Sequence, residues 1–192
     1  LIILLFFIIL ILLIILPLYL ITIDFIYWFL EVEKESSSIN FYTHDISDGL
    51  SGFYPVNLDS KDSISLKDAK GKELFSNYSE SFNHRSSVPM IKLENYILNN
   101  KIESINLLKI DTQGYEPQVL SGLGQMLQKV DVVISELIFY DYYDRKLSFS
   151  DLEKFLLPAG FSLYDISHIS KNPMNGRTDW VDVIYINERI IS

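Results

Sequence analysis

The chain contains no cysteine among its 192 residues. This absence excludes a disulfide framework, a thiolate metal site and a cysteine nucleophile. Basic residues are also few, because 16 Lys and Arg stand against 25 Asp and Glu and give a net charge of -9. A phosphate backbone needs a basic protein face, so nucleic acid is not expected as a main partner.

Charge is missing altogether from the first 23 residues, where only Pro17, Tyr19 and Thr22 interrupt an apolar run. A run of about 20 apolar residues matches the hydrocarbon core of a bilayer. An aromatic cluster follows at residues 25–30, and such clusters are typical of a membrane interface. We therefore predict a single-pass membrane anchor over residues 1–30. The alternatives are a cleaved signal peptide and a misassigned gene start.

Glycine is scarce in the first part of the chain, since all eight glycines lie at Gly49 or later. None of them forms a G-x-G arrangement that follows a predicted strand and opens a helix, which is the pattern of a phosphate-binding loop. Gly122 and Gly124 have the spacing, but they lie inside or at the end of a predicted helix.

A polar linker is predicted at residues 31–38, and it leaves residues 39–190 for one domain that is large enough to bury a core. Residues 60–87 form a polar excursion with little periodicity. Elsewhere strand and helix signals alternate, which predicts an α/β fold with a mostly parallel sheet. The predicted strands are 39–43, 105–110, 130–137, 161–166 and 181–187, and the predicted helices are 93–100, 117–129 and one that starts from a Ser150–Glu153 capping box and ends at Pro158.

The apolar runs at 105–110 and 130–137 are typical of strands that are covered on both faces. In such sheets ligands bind beyond the carboxyl ends of the strands. Asp45, Asp111 and Glu136 are the acidic residues expected at those ends. For Asp111 two interpretations stay open: its carboxylate faces a cleft, or it caps the turn that follows the strand.

Segment 107–122, LLKIDTQGYEPQVLSG, resembles the signature of the FkbM-type S-adenosylmethionine-dependent methyltransferases. VVISELIF at 132–139 resembles the next strand of that family, which also carries a glutamate. VPMIKLENYI at 88–97 and INFYTHDISD at 39–48 resemble segments that the family places before its signature. The resemblance implies a Rossmann-like class I methyltransferase sheet, S-adenosylmethionine as cofactor, and methyl transfer to an oxygen of a sugar, a glycan or a small molecule.

The resemblance also assigns site residues. Asp111 is implied as the general base or as the ligand of a divalent cation, while Gln113 and Glu136 are implied to orient the substrate. Asp45 and Ile46 are implied to border the adenine of the cofactor. The family usually has a glutamate where this chain has Gln113, and glutamine cannot act as a general base near neutral pH.

The glycine-rich loop and the acidic ribose-binding residue that class I methyltransferases carry on their first two strand-to-helix turns are not found before residue 39. We therefore expect a methyltransferase domain that lacks its N-terminal strands and binds S-adenosylmethionine weakly or not at all. The alternative function is a non-catalytic, membrane-tethered scaffold or a glycan-binding module. Tyr140, Tyr142 and Tyr143 could form an aromatic wall for a sugar or part of a buried loop. The three histidines have no metal-ligand spacing, so no metal site is predicted.

Overall fold

The computed structural model describes residues 20–22, 37–45, 48–63, 82–173 and 175–191. Of the predicted membrane anchor it describes only Leu20–Thr22, and the rest of residues 1–30 lies outside the described residues. Leu20–Thr22 forms strand β1 of the main sheet, so the predicted membrane helix is wrong for these three residues. The described helices are all too short, or not apolar enough, to cross a membrane.

Among the described residues, the main sheet contains β1 and four further strands. In chain order the four are β4 (Ile105–Ile110), β5 (Val130–Ile138), β6 (Phe161–Lys171) and β7 (Thr178–Asn187). Their order across the sheet is β1-β4-β5-β7-β6. The β1–β4 and β4–β5 pairs are parallel, whereas the β5–β7 and β7–β6 pairs are antiparallel.

The predicted α/β class is confirmed, but the sheet is less parallel than expected. The stretch between β6 and β7 is too short for a parallel crossover, so the two strands form an antiparallel hairpin. The expectation that the strands before residue 39 are missing also needs correction. β1 precedes that boundary and pairs with β4 from Leu20 opposite Leu107 to Thr22 opposite Lys109.

A second, separate sheet consists of β2 (Ser37–Thr43) and β3 (His84–Met90), which pair antiparallel. The sequence correctly predicts a strand at 39–43 but places it wrongly in the main sheet. β2 has no fully buried residue and carries polar side chains along its length, whereas an inner strand of the main sheet requires a more continuous apolar run. The end of the predicted polar excursion, from His84, belongs to β3.

Within the described ranges three helices pack on the main sheet: α1 (Leu93–Asn99), α2 (Glu116–Leu123) and α3 (Phe149–Leu156). α2 ends six residues before the predicted end, since residues Gly124–Lys129 form a 3-10 helix. The capping box of α3 uses Ser148 and Asp151 instead of the predicted pair, because the helix begins at Phe149. Further 3-10 turns lie at Asp48–Leu50, Leu157–Ala159 and Glu188–Ile190.

The core lies between these helices and one face of the main sheet. Its fully buried members include Leu108 and Val133 from the strands and Ile97, Leu120 and Leu152 from the helices. Each such side chain stabilises the fold by roughly 1.5–3 kcal/mol. The alternate residues of β4 and β5, such as Lys109 and Ile134, are only partly buried. We expected β4 and β5 to be covered on both faces. The helices cover one face, and the residues on the opposite face are only partly buried.

Candidate active site

Asp111, Gln113 and Glu136 converge at the carboxyl ends of β4 and β5. Ile110 pairs with Ser135 in the parallel register. The residues that follow them, Asp111 and Glu136, therefore lie side by side. The Gln113 side-chain amide joins them, because its Nε2 donates to Asp111 Oδ1 at 3.1 Å and to Glu136 Oε2 at 3.2 Å. The structure thus brings together the three residues that the sequence singles out at this edge.

The turn between β4 and α2 presents Gln113 in an uncommon backbone conformation. Gln113 has a φ of 52° and Gly114 a φ of 96°, so two consecutive residues lie in the left-handed region. Glycine adopts that region freely, but a residue with a Cβ is disfavoured there by roughly 1–2 kcal/mol. Gly52 packs against the same turn, where an added Cβ would lie 3.0 Å from the Gln113 Cβ. Close packing and the hydrogen bonds of Gln113 hold this geometry.

Glu116 holds the turn from the helix side, and the sequence reasoning missed it. Its Oε1 accepts from the Thr112 backbone N at 2.9 Å, the Thr112 Oγ1 at 3.1 Å and the Gly114 backbone N at 3.3 Å. The side chain is fully buried, Oε2 has no hydrogen-bond partner within the described structure, and burial raises the pKa of the carboxyl. The sequence does contain a signal for this role, because Glu116 is an acidic residue in the first turn of a helix, four residues after a threonine.

Of the two carboxyl groups that Gln113 bridges, that of Glu136 is the more buried. Burial, followed by the negative charges of Asp111, Glu116 and Asp182, raises its pKa to about 8, and the nearby Lys109 ammonium only partly opposes this. Asp182 lies directly opposite Glu136 in the β5–β7 register, and burial raises its pKa as well. Near neutral pH Glu136 therefore mostly keeps its proton.

Asp111 is the more accessible carboxylate, since its side chain is 29% exposed. Lys109 lies on the same face of β4 and donates from Nζ to Asp111 Oδ2 at 2.8 Å. This ion pair offsets part of the negative charge at the edge of the sheet. The edge thus combines a protonated carboxyl, an amide bridge and a partly exposed carboxylate.

Tyr143 closes the site from the loop that follows β5. Its hydroxyl lies 2.8 Å from the Leu50 carbonyl oxygen and 3.2 Å from Gln113 Oε1. Burial raises the pKa of the hydroxyl, which therefore remains a donor. Since Tyr143 lies at the amide oxygen of Gln113, the amide NH₂ is directed toward the two carboxyl groups. Tyr143 is buried, as is Tyr140, so for these two the buried-loop interpretation is correct.

Asp45 does not join this group. Its side chain is 71% exposed and pairs with His84 Nε2 at 3.2 Å, at the end of the two-stranded sheet. The predicted adenine contact assumed that β2 belongs to the main sheet, whereas β2 pairs with β3 in a separate sheet. Ile46 lies outside the described residues. Within the described ranges no group of three or more His, Asp and Glu residues could hold a metal ion.

One comparison with known proteins gives a match. The family model described as the methyltransferase FkbM domain matches residues 27–163, which is most of the chain. The matched range includes Asp111, Gln113, Glu136 and Tyr143. No curated protein and no solved structure matches the chain.

Proposed function

The chain belongs to the FkbM methyltransferase family, and from that premise we propose that it transfers a methyl group from S-adenosylmethionine to an oxygen of a sugar, a glycan or a small molecule. The observation that carries the proposal is the hydrogen-bonded set of Asp111, Gln113 and Glu136 at the carboxyl edge of the sheet. An α/β sheet binds its ligands beyond this edge.

When bound, S-adenosylmethionine supplies an electrophilic methyl group on a positively charged sulfur. The Asp111 carboxylate at the edge suits a cation, and the Asp182 carboxyl lies next to the same edge in the strand register. A neighbouring negative charge attracts a cation most strongly where water is partly excluded. The donor set of the chain therefore fits the charge of this cofactor.

Asp111 is our candidate for the general base. It accepts a proton from the acceptor hydroxyl, because it is the more exposed of the two carboxyl groups and Glu136 is mostly protonated near neutral pH. Gln113 fixes the direction of the Asp111 carboxylate, and Tyr143 fixes Gln113 in turn. A positioned base of this kind contributes about 10²- to 10⁴-fold to the rate.

Gln113 replaces the glutamate that is usual in the family, and its geometry explains how the chain accommodates the change. Its NH₂ group donates to two carboxyl groups, whereas an ionised glutamate has no proton to donate. A glutamate here would have to be protonated to keep the contact with the Asp111 carboxylate. Gln113 therefore serves as a neutral bridge in the proposed site and takes no part in proton removal.

The full chain incubated with methyl-labelled S-adenosylmethionine tests the proposal. Weak cofactor binding is expected, with a dissociation constant above about 10 μM, or roughly -7 kcal/mol. The assay therefore uses millimolar cofactor, methyl glycosides as acceptors, and release of S-adenosylhomocysteine as the readout. We expect acceptor-dependent release. No release with any acceptor, from folded protein, would contradict the proposal and favour a non-catalytic scaffold or glycan-binding module.

A further inference from the structure

Arg145 lies at the rim of the candidate active site and has no ion-pair partner among the described residues. Arg177 and Arg189, by contrast, each contact a carboxylate. Arg145 is partly buried and belongs to the same loop as Tyr143, two residues further along the chain. In a chain with an excess of acidic residues, an arginine that is held in place without a carboxylate is unusual enough to need an explanation.

Arg145 is held by neutral groups. Its Nη1 donates to the Tyr54 hydroxyl at 2.8 Å, and its guanidinium carbon lies 5.7 Å from the centre of the Tyr54 ring. When the Gln118 amide is oriented to satisfy its neighbours, its oxygen also accepts from Arg145 Nη1 at 2.8 Å. These contacts occupy one amino group and leave the second amino group and Nε available as donors toward a ligand.

Tyr54 connects Arg145 to the turn that carries Gln113. A Cβ placed on Gly114 would lie 3.6 Å from the Tyr54 ring, so the ring covers the residue that follows Gln113. Tyr115 lies beside it, with ring centres 5.9 Å apart. The guanidinium is therefore positioned next to the turn by an aromatic surface, and among the described residues no carboxylate lies within ion-pair distance of it, the charge of Asp151 acting only from further away.

We propose that Arg145 binds an anionic group of the acceptor, so that the substrate class is a sugar that carries a carboxylate or a phosphate. The proposal rests on the proposed function, because it assigns the acceptor of that same site. A planar guanidinium whose Nε and Nη2 form one available donor edge matches carboxylate and phosphate oxygens in a bidentate geometry. The Asp111 carboxylate would repel an anion that lacked such a partner.

The test compares three small probes on the full chain: methyl β-glucuronide, glucose 6-phosphate and methyl β-glucoside. Dissociation constants come from saturation-transfer NMR titrations. We expect at least one anionic sugar to bind about tenfold more tightly than the neutral one, or about 1.4 kcal/mol. Preference for the glucuronide alone, for the phosphate alone or for both identifies the kind of anion. Absence of any preference overturns the proposal.

Two variants test whether Arg145 is the residue that causes the preference for an anionic sugar. Arg145→Gln should abolish it, and the matched control Lys146→Gln, which removes one exposed charge from the next position, should keep it. A preference that survives Arg145→Gln, or that falls equally in the control, overturns the proposal. If Arg145→Gln does not fold, Arg145→Lys tests the same claim, because lysine keeps the positive charge but lacks the planar guanidinium with its paired N–H donors. It should lower the preference at least about threefold, and an unchanged preference contradicts the bidentate contact.

The test of Arg145 and the test of methyl transfer can fail independently of each other. Anion preference with no methyl transfer would refute the proposed function and leave Arg145 as an anion-binding residue. Methyl transfer without anion preference would retain the proposed function and refute the assignment of Arg145.

Discussion

Glu136 and Gln113 show how single residues set the chemistry of the sheet edge. Glu136 is buried beside other acidic groups, and its elevated pKa keeps it mostly neutral near pH 7. A neutral Glu136 and a neutral Gln113 leave Asp111 as the member of the hydrogen-bonded set that we propose to accept a proton. The division of roles depends on burial, which a sequence does not give residue by residue.

The raised pKa of Glu136 predicts a pH dependence of stability. The carboxyl has a pKa of about 8 when folded against an ordinary value of 4.5, so the folded state binds the proton more tightly. The free energy of unfolding should therefore fall as the pH rises from about 5 to about 8, by on the order of a few kcal/mol, and level off above. Thermal unfolding across this pH range measures the effect.

Glu136→Gln should flatten that dependence and stabilise the protein at pH 8, since the glutamine stays neutral. Glu103→Gln provides the matched control, because Glu103 is exposed. The control should leave the pH dependence as it is in the natural chain. An equal slope in the natural chain and in Glu136→Gln would show that Glu136 is not the group responsible.

At the scale of elements, the turn between β4 and α2 is the piece that positions the site. It contains two residues with positive φ, and one buried carboxylate oxygen of Glu116 accepts three hydrogen bonds from it. The geometry of Gln113 therefore depends on a residue that does not touch the proposed reacting groups. Glu116 is a positioning residue in this account.

Removal of the Glu116 carboxyl should loosen this turn. In Glu116→Ala the Thr112 and Gly114 donors lose their buried acceptor, and each such loss costs about 1–3 kcal/mol. Burial of the carboxyl is itself unfavourable, and its removal offsets part of this cost. We therefore expect the free energy of unfolding, measured by urea titration, to fall by about 2–4 kcal/mol. Glu116→Gln retains one acceptor oxygen and should lose less. Equal losses in both variants, or none in Glu116→Ala, would contradict the assignment.

The elements themselves were predictable where local pattern decides them. Ile105–Ile110 has the predicted bounds because it is a continuous apolar run that ends at a charged residue. The polar side chains of β2 argue against an inner position in the main sheet, but its pairing with β3 was not predictable, because long-range contacts decide which strand it joins. The meeting of Asp111, Gln113 and Glu136 follows from parallel strand ends, but the contribution of Tyr143 requires the loop pairing between Val56 and Tyr143.

At the scale of the whole molecule, membrane attachment stays a prediction from the uncharged run. Of the predicted anchor over residues 1–30, the structure describes only Leu20–Thr22, and these lie in the sheet. The full chain should stay in the pellet after alkaline carbonate washing, and Leu10→Lys combined with Ile14→Lys should release it. Recovery of the natural chain in the supernatant would refute attachment.

The central claim is that the carboxyl edge formed by Asp111, Gln113 and Glu136 is the reacting end of a methyltransferase. Turnover and thermal unfolding of Asp111→Asn, measured on one preparation of the full chain, test it most directly. Asp59→Asn is the matched control, because it makes the same change at an exposed position. We predict a loss of about 10²- to 10⁴-fold in methyl transfer, or roughly 3–5 kcal/mol, with unfolding nearly unchanged and the control fully active. Preserved turnover per folded molecule with a lowered melting temperature would contradict the account and leave Asp111 as a turn-capping residue.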